Sequence, residues 1–176
     1  MPTVFHEGEI RFEFSDEWEP QHYDKHPDRE PIKRLPETKS VDFAAIKGEK
    51  LYLIEVTDYR NRDDRLRDQI GAPLAIEVAQ KVRDTIAGIV AAQHRGNVQT
   101  WDRFTKCLLT PEPAVQVVLW MEHEHATEHD GRNETRAYVM SQELKKKLKW
   151  LTAKVLVTSM DLCGLDGVKA SDSTSS

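Results

Sequence analysis

Apolar and polar positions along the chain change their period several times, and each change marks an element. Glu7–Phe14 alternates, with Ile10, Phe12 and Phe14 on one side and Arg11 and Glu13 on the other, which predicts a strand. Ser15–Lys39 is polar and holds Pro20, Pro27, Pro31 and Pro36, so helix is not expected through most of it. Trp18 and Tyr23 are expected to anchor this extended or looped segment. Ser40–Ile46 and Leu51–Tyr59 then read as two strands. The polar Lys47-Gly48-Glu49-Lys50 between them suits a hairpin loop.

The period next changes to that of a helix. Pro73 can occupy a first helical turn, and Leu74, Val78, Val82, Ile86 and Ile89 recur at helical spacing to about His94, with Gly96 as the stop. Asn97–Pro113 reads as a connection around Trp101, Phe104 and Leu108, with room for a short helix. Ala114–Met121 is a compact Val-rich run, expected as a strand buried on both faces. Ser141 can cap a helix whose apolar stripe is Leu144, Leu148 and Leu151, opposite Lys145, Lys146, Lys147 and Lys149. Ala153–Met160 follows as a further strand. From Gly167 the Ser-rich tail has nothing to bury and is expected to be disordered. The order predicts one α/β domain over 1–166, a mixed central sheet flanked by helices, with a tail over 167–176.

Composition narrows the class. A chain of 176 residues is most simply one domain with a real core. Its formal net charge of −5 argues against strong non-specific nucleic-acid binding, which rests on phosphate neutralisation. No apolar run is long enough to span a membrane, and the first residues lack a basic region followed by an apolar core. Cys107 and Cys163 lie far apart without metal-ligand spacing, so a reduced, cytoplasmic chain is expected.

The chemistry concentrates in the hairpin. Asp42 and Glu55 stand within apolar strands, where a charge is costly unless paired or bound to a metal. On neighbouring strands their carboxylates can converge on a divalent cation, and oxygen ligands suit Mg²⁺ or Mn²⁺. Strand alternation puts Glu55 on the face of Leu53 and Thr57. On the long helix Lys81 falls at the edge of the apolar stripe, between Leu74, Val78 and Thr85, and so is expected to point toward the sheet or its margin. Glu77, one turn earlier, can approach the same place.

Asp42, a short hairpin and then Glu55-Val56-Thr57 resemble the motif of the PD-(D/E)XK nuclease superfamily: an Asp, a gap, Glu or Asp, any residue, then Lys. The order of elements extends the resemblance over most of the chain. The departure is Thr57, which stands where the family has its lysine. The resemblance implies a restriction-endonuclease-like fold and a metal-dependent nuclease. Asp42, Glu55 and the Val56 carbonyl would hold Mg²⁺ or Mn²⁺. Some members carry the active-site lysine on the helix after the acidic strand, which makes Lys81 the candidate replacement. Its ammonium would stabilise charge on the scissile phosphate or orient the attacking water. The Thr57 hydroxyl can hydrogen-bond water but carries no charge. The partner implied is nucleic acid, DNA foremost, with a homodimer or a partner protein to supply specificity.

Arg60, Arg62 and Arg65 directly follow the Glu55 strand and are candidates for phosphate contacts, with pairing to Asp63, Asp64 and Asp68 as the plain alternative. Glu17, Glu19, Asp24 and Asp28 are spare carboxylates that could supply a third ligand. His123, His125 and His129 are close enough in sequence for Zn²⁺, but read more simply as an exposed loop. Two other functional readings stay open: a catalytically inactive nuclease-like subunit with a binding or assembly role, and an α/β interaction protein whose acidic hairpin is incidental.

Overall fold

The computed structural model describes residues 1–60, 70–111, 114–123, 132–162 and 164–173. Arg62, Arg65, His125, His129 and Cys163 lie outside them. The chain opens with a hairpin, β1 (Thr3–Glu7) and β2 (Ile10–Phe14), turned at Gly8 with φ of 57°. β3 (Trp18–His22) follows, then two 3₁₀ turns and the short helix α1 (Glu30–Lys33). The acidic hairpin is β4 (Phe43–Lys47) and β5 (Lys50–Asp58), with Gly48 at φ 60° in its turn. Helices α2 (Ala72–His94) and α3 (Val98–Leu109) lead to β6 (Val115–Glu122). Then come α4 (Arg132–Leu148), β7 (Val155–Thr158) and β8 (Val168–Asp172).

The central sheet has five strands in the order β3-β4-β5-β6-β7. β3, β4 and β5 are antiparallel neighbours, whereas β5, β6 and β7 run parallel. Parallel strands need crossover connections, and here α2 with α3, and then α4, provide them. The fold is therefore mixed α/β, as the order of periods implies.

Strand alternation divides the core into two halves. Ala44, Ile46, Leu51, Leu53, Val117 and Leu119 pack with Val78, Val82 and Ile89 of α2, Trp101 and Phe104 of α3, and Met140, Leu144 and Leu148 of α4. Phe43, Ala45, Ile54, Val118 and Trp120 point the other way, against Ile10, Phe12, Phe14 and Val168. That second face is covered by a three-stranded sheet, β1-β2-β8. Aromatic edges bind the two sheets, with Phe12 against Trp120 at 5.2 Å and an 84° interplanar angle.

Several boundaries differ from the sequence expectation. The tail is corrected most: Val168–Asp172 is a strand paired antiparallel with β2, because β2 offers a ladder edge that β1 leaves open. Ser141 does not cap a helix. α4 starts at Arg132, Met140 extends the Leu144–Leu148 stripe backwards, and the Ser141 hydroxyl donates to the Tyr138 carbonyl at 2.8 Å. β3 forms despite Pro20 because it is an edge strand, pairing only with β4, where proline is tolerated. The long helix and the buried β6 stand where the periodicity places them. Among the described residues no helix is long and apolar enough to cross a membrane.

Candidate functional site

Asp42 sits one residue before β4, at the point where the β4–β5 ladder stops. Pairing ends at Phe43 opposite Ile54, so Val56 lies beyond it and its N–H has no β4 carbonyl to reach. The Asp42 carboxylate takes that donor instead, with Oδ2 accepting from the Val56 amide at 2.7 Å. The approach segment is pinned from two sides. The Lys39 and Val41 amides donate to Asp84 Oδ2 and Thr85 Oγ1 of α2 at 3.1 and 3.0 Å, and the Ser40 hydroxyl donates to Asp24 Oδ1 at 2.8 Å. Asp42 is thus held by backbone and helix together.

Glu55 projects from β5 toward α2, on the side of Leu53. Only 3% of it is exposed, and 8% of Asp42. Lys81, on the facing turn of α2, donates to Glu55 Oε1. The other oxygen, Oε2, is buried with no hydrogen-bond partner. The helical wheel and the strand alternation therefore bring Asp42, Glu55 and Lys81 to one place. Glu77 pairs with Lys39 at 3.0 Å and adds its charge to the surroundings of Glu55 and Lys81 without a direct bond to either.

The electrostatics follow from burial. Loss of water pushes the Asp42 carboxyl up to about 6; the Val56 amide pulls the other way and the charge of Glu7 adds to the rise. Glu55 is pushed well above the usual carboxylate range by burial and by Asp42, against the pull of Lys81. Burial alone would lower Lys81, but the Glu55 carboxylate beside it outweighs that and holds its ammonium protonated.

Glu7 carried no signal in the sequence. It ends β1 and reaches the site through tertiary structure, where its Oε2 accepts from His22 Nε2 at 2.8 Å and Lys25 Nζ at 2.9 Å. These partners lower its own pKa, hydrogen bonding by His22 first. His22 pairs with Phe43 across β3–β4 and packs against that ring, 4.7 Å between centroids at a 39° tilt, so the Glu7–His22 pair stands next to the strand that starts after Asp42.

The remaining candidates fall elsewhere. Thr57 is part-buried, two residues beyond Glu55 on β5. The Arg60 guanidinium is held by Asp58, with Nη2 to Oδ2 at 2.7 Å, and by Asp172, so it ties β5 to β8. The spare carboxylates are engaged with other partners: Glu17 with Lys47, Glu19 with Arg103, Asp24 with Arg29 and Asp28 with the Trp101 indole. His123 stacks on Tyr59, 5.4 Å between centroids at 9°.

Among the described residues there is no group of three or more His, Cys, Asp or Glu side chains that could hold a metal. Two carboxylates can still do so, because Mg²⁺ commonly keeps several waters and binds through one or two of them. The unpartnered, buried Glu55 Oε2 beside a second carboxylate fits that requirement.

Comparison with known proteins returns no matching family model, no matching curated protein and no matching solved structure. The functional reading therefore stands on the site's own geometry.

Proposed function

We propose that the protein is a metal-dependent phosphodiesterase acting on nucleic acid, of the restriction-endonuclease-like kind. One observation carries the reading: a buried Glu55 carboxylate, with one oxygen on Lys81 and the other unpartnered, faces Asp42 at the point where a sheet ladder opens. Asp42 and Glu55, with the Val56 carbonyl, would hold Mg²⁺ or Mn²⁺. When bound, the ion supplies Lewis-acid stabilisation of the scissile phosphate.

The chain's own groups divide the remaining work. Lys81 stays protonated at neutral pH, so its contribution is positive charge near the phosphate and not proton abstraction. The Val56 N–H fixes the Asp42 carboxylate in one orientation. Thr57 can place water by hydrogen bonding. The low exposure of both carboxylates keeps competing water from them.

A second reading has its own observation. Thr57 occupies the position where the family carries lysine, and Lys81 is already closed onto Glu55. A chain that has lost catalysis and serves as a binding or assembly subunit would show the same pair as a purely structural contact. The test is cleavage of plasmid, linear duplex, single-stranded DNA and RNA with Mg²⁺, Mn²⁺ or chelator, by wild type, Asp42→Ala and Lys81→Ala. Metal-dependent cutting lost in both variants supports the enzyme. Cutting that survives Asp42→Ala overturns the site, and no cutting under any condition favours the inactive subunit.

A further inference from the structure

At the opposite end of the central sheet, beside the β4–β5 turn, lies a cleft of about 610 Å³. Its floor is apolar and buried: Ile46 of β4, Cys107 of α3 and Ala114 just ahead of β6. Its rim is exposed and cationic: Lys50, Arg103, Lys106 and Lys154. Glu49 is the one carboxylate among the described lining residues. In a chain of net charge −5 this is a local reversal of sign.

The four cations are not equivalent. Arg103 is paired with Glu19 and also donates to the Gly48 carbonyl at 3.0 Å. Lys106 is bound to Asp102 at 2.7 Å and stands in the last turn of α3, where it offsets the negative end of the helix dipole. Lys50 and Lys154 have no carboxylate partner among the described residues, and they approach the cleft from different places, the first residue of β5 and the residue before β7. They supply the uncompensated charge. A cleft of this size, apolar at its base with a few convergent polar groups, has the dimensions of a small-molecule site.

We propose that this cleft binds an organic phosphate of nucleotide size, its apolar body over Ile46, Cys107 and Ala114 and its phosphate between Lys50 and Lys154. The inference does not depend on the reaction proposed for Asp42 and Glu55, which lie at the other end of the strands. The Cys107 thiol, donating to the Glu49 carbonyl at 3.5 Å, is raised by burial and stays neutral, so the floor presents no competing anion.

The test is calorimetric titration with AMP, ADP, adenosine and inorganic phosphate at low salt, in the presence of a chelator. AMP or ADP is expected to bind, with adenosine and inorganic phosphate each weaker by about tenfold or more. Lys50→Glu with Lys154→Glu is expected to weaken nucleotide binding by about tenfold or more with unchanged thermal unfolding, and Lys50→Met with Lys154→Met by a smaller factor. Asp42→Asn should leave binding unchanged. The proposal is overturned by no binding of AMP and ADP at millimolar concentration, by wild-type affinity in the double charge reversal, or by inorganic phosphate binding as well as AMP. Loss of binding in Asp42→Asn would move the ligand to the carboxylate site and also overturn it.

Discussion

Lys81 donates to Glu55 from the facing helix, across the gap between α2 and β5. Glu55 thus takes its cation from a different element, and Lys81 meets the carboxylate with only a fifth of its own side chain exposed. Breaking one member of a buried pair leaves the other uncompensated.

Lys81→Met is therefore expected to destabilise the protein at pH 8 by about 1–3 kcal/mol. The loss should be smaller at pH 5 than at pH 8, because burial and Asp42 raise the Glu55 carboxyl and favour its neutral form as pH falls. Adding Glu55→Gln should recover most of the stability at both pH values. Urea unfolding of the two single variants and the double decides it; an additive double variant would mean that the pair is not coupled.

The raised Asp42 sets a pH dependence for the metal-free protein. A native carboxyl at about 6 against an ordinary 3.8 binds its proton more tightly folded than unfolded. Stability from this group is then full below the unfolded value and falls as pH rises through about 4 to 6, by about 3 kcal/mol in all. Asp42→Asn keeps an acceptor for the Val56 amide and removes the charge, so it should flatten this slope and stabilise the chelated protein at neutral pH. Urea midpoints between pH 4 and 7 would check it, and an unchanged slope in the variant would reject the assignment.

Divalent metal should reverse that penalty. If Asp42 and Glu55 bind Mg²⁺ or Mn²⁺, a hundredfold excess over the dissociation constant stabilises by about 2.7 kcal/mol. For a domain of this size that corresponds to a rise in Tm of roughly 5–10 °C. Chelator should abolish the rise, and so should Asp42→Asn. A wild type indifferent to both metals would count against the proposed metal site.

Gly88 on α2 packs against Tyr23 so closely that an added Cβ would stand 2.0 Å from the phenol oxygen. That oxygen is buried without a hydrogen-bond partner. Gly88→Ala is expected to cost about 1–3 kcal/mol through overpacking. Tyr23→Phe, which removes the clashing atom and a desolvated hydroxyl together, should restore much of the loss. Thermal unfolding of the single and double variants measures this, and equal damage in both would place the strain elsewhere.

What could be read from the chain, and what could not, divides by how local the signal is. The acidic hairpin, α2 and β6 carry their periods within themselves, and Lys81 is placed by the same helical period as Leu74 and Val78. Val168–Asp172 has only Val168 and Ala170 to bury, and its strand character comes from β2, far away in sequence. Glu7 meets the site only because β1 folds beside β3 and His22 holds it there. α3 is longer than its three apolar residues suggest, since Trp101 and Phe104 are fixed by contacts with α2 and with Tyr23. In each case the missing information lies in a partner strand or helix and not in the segment.

The pairing of β8 with β2 also has a consequence for how the molecule is made. Phe14 meets Val168 only after the chain as far as Val168 has left the ribosome. Until then β2 has one unpaired ladder edge, and the aromatic face formed by Phe43 and Trp120 lacks part of its cover. Such distant closure comes late in folding, and an open edge beside exposed aromatics is a template for self-association. A nascent chain stalled before Val168 is thus expected to be aggregation-prone, and synthesis of β8 ends that exposure.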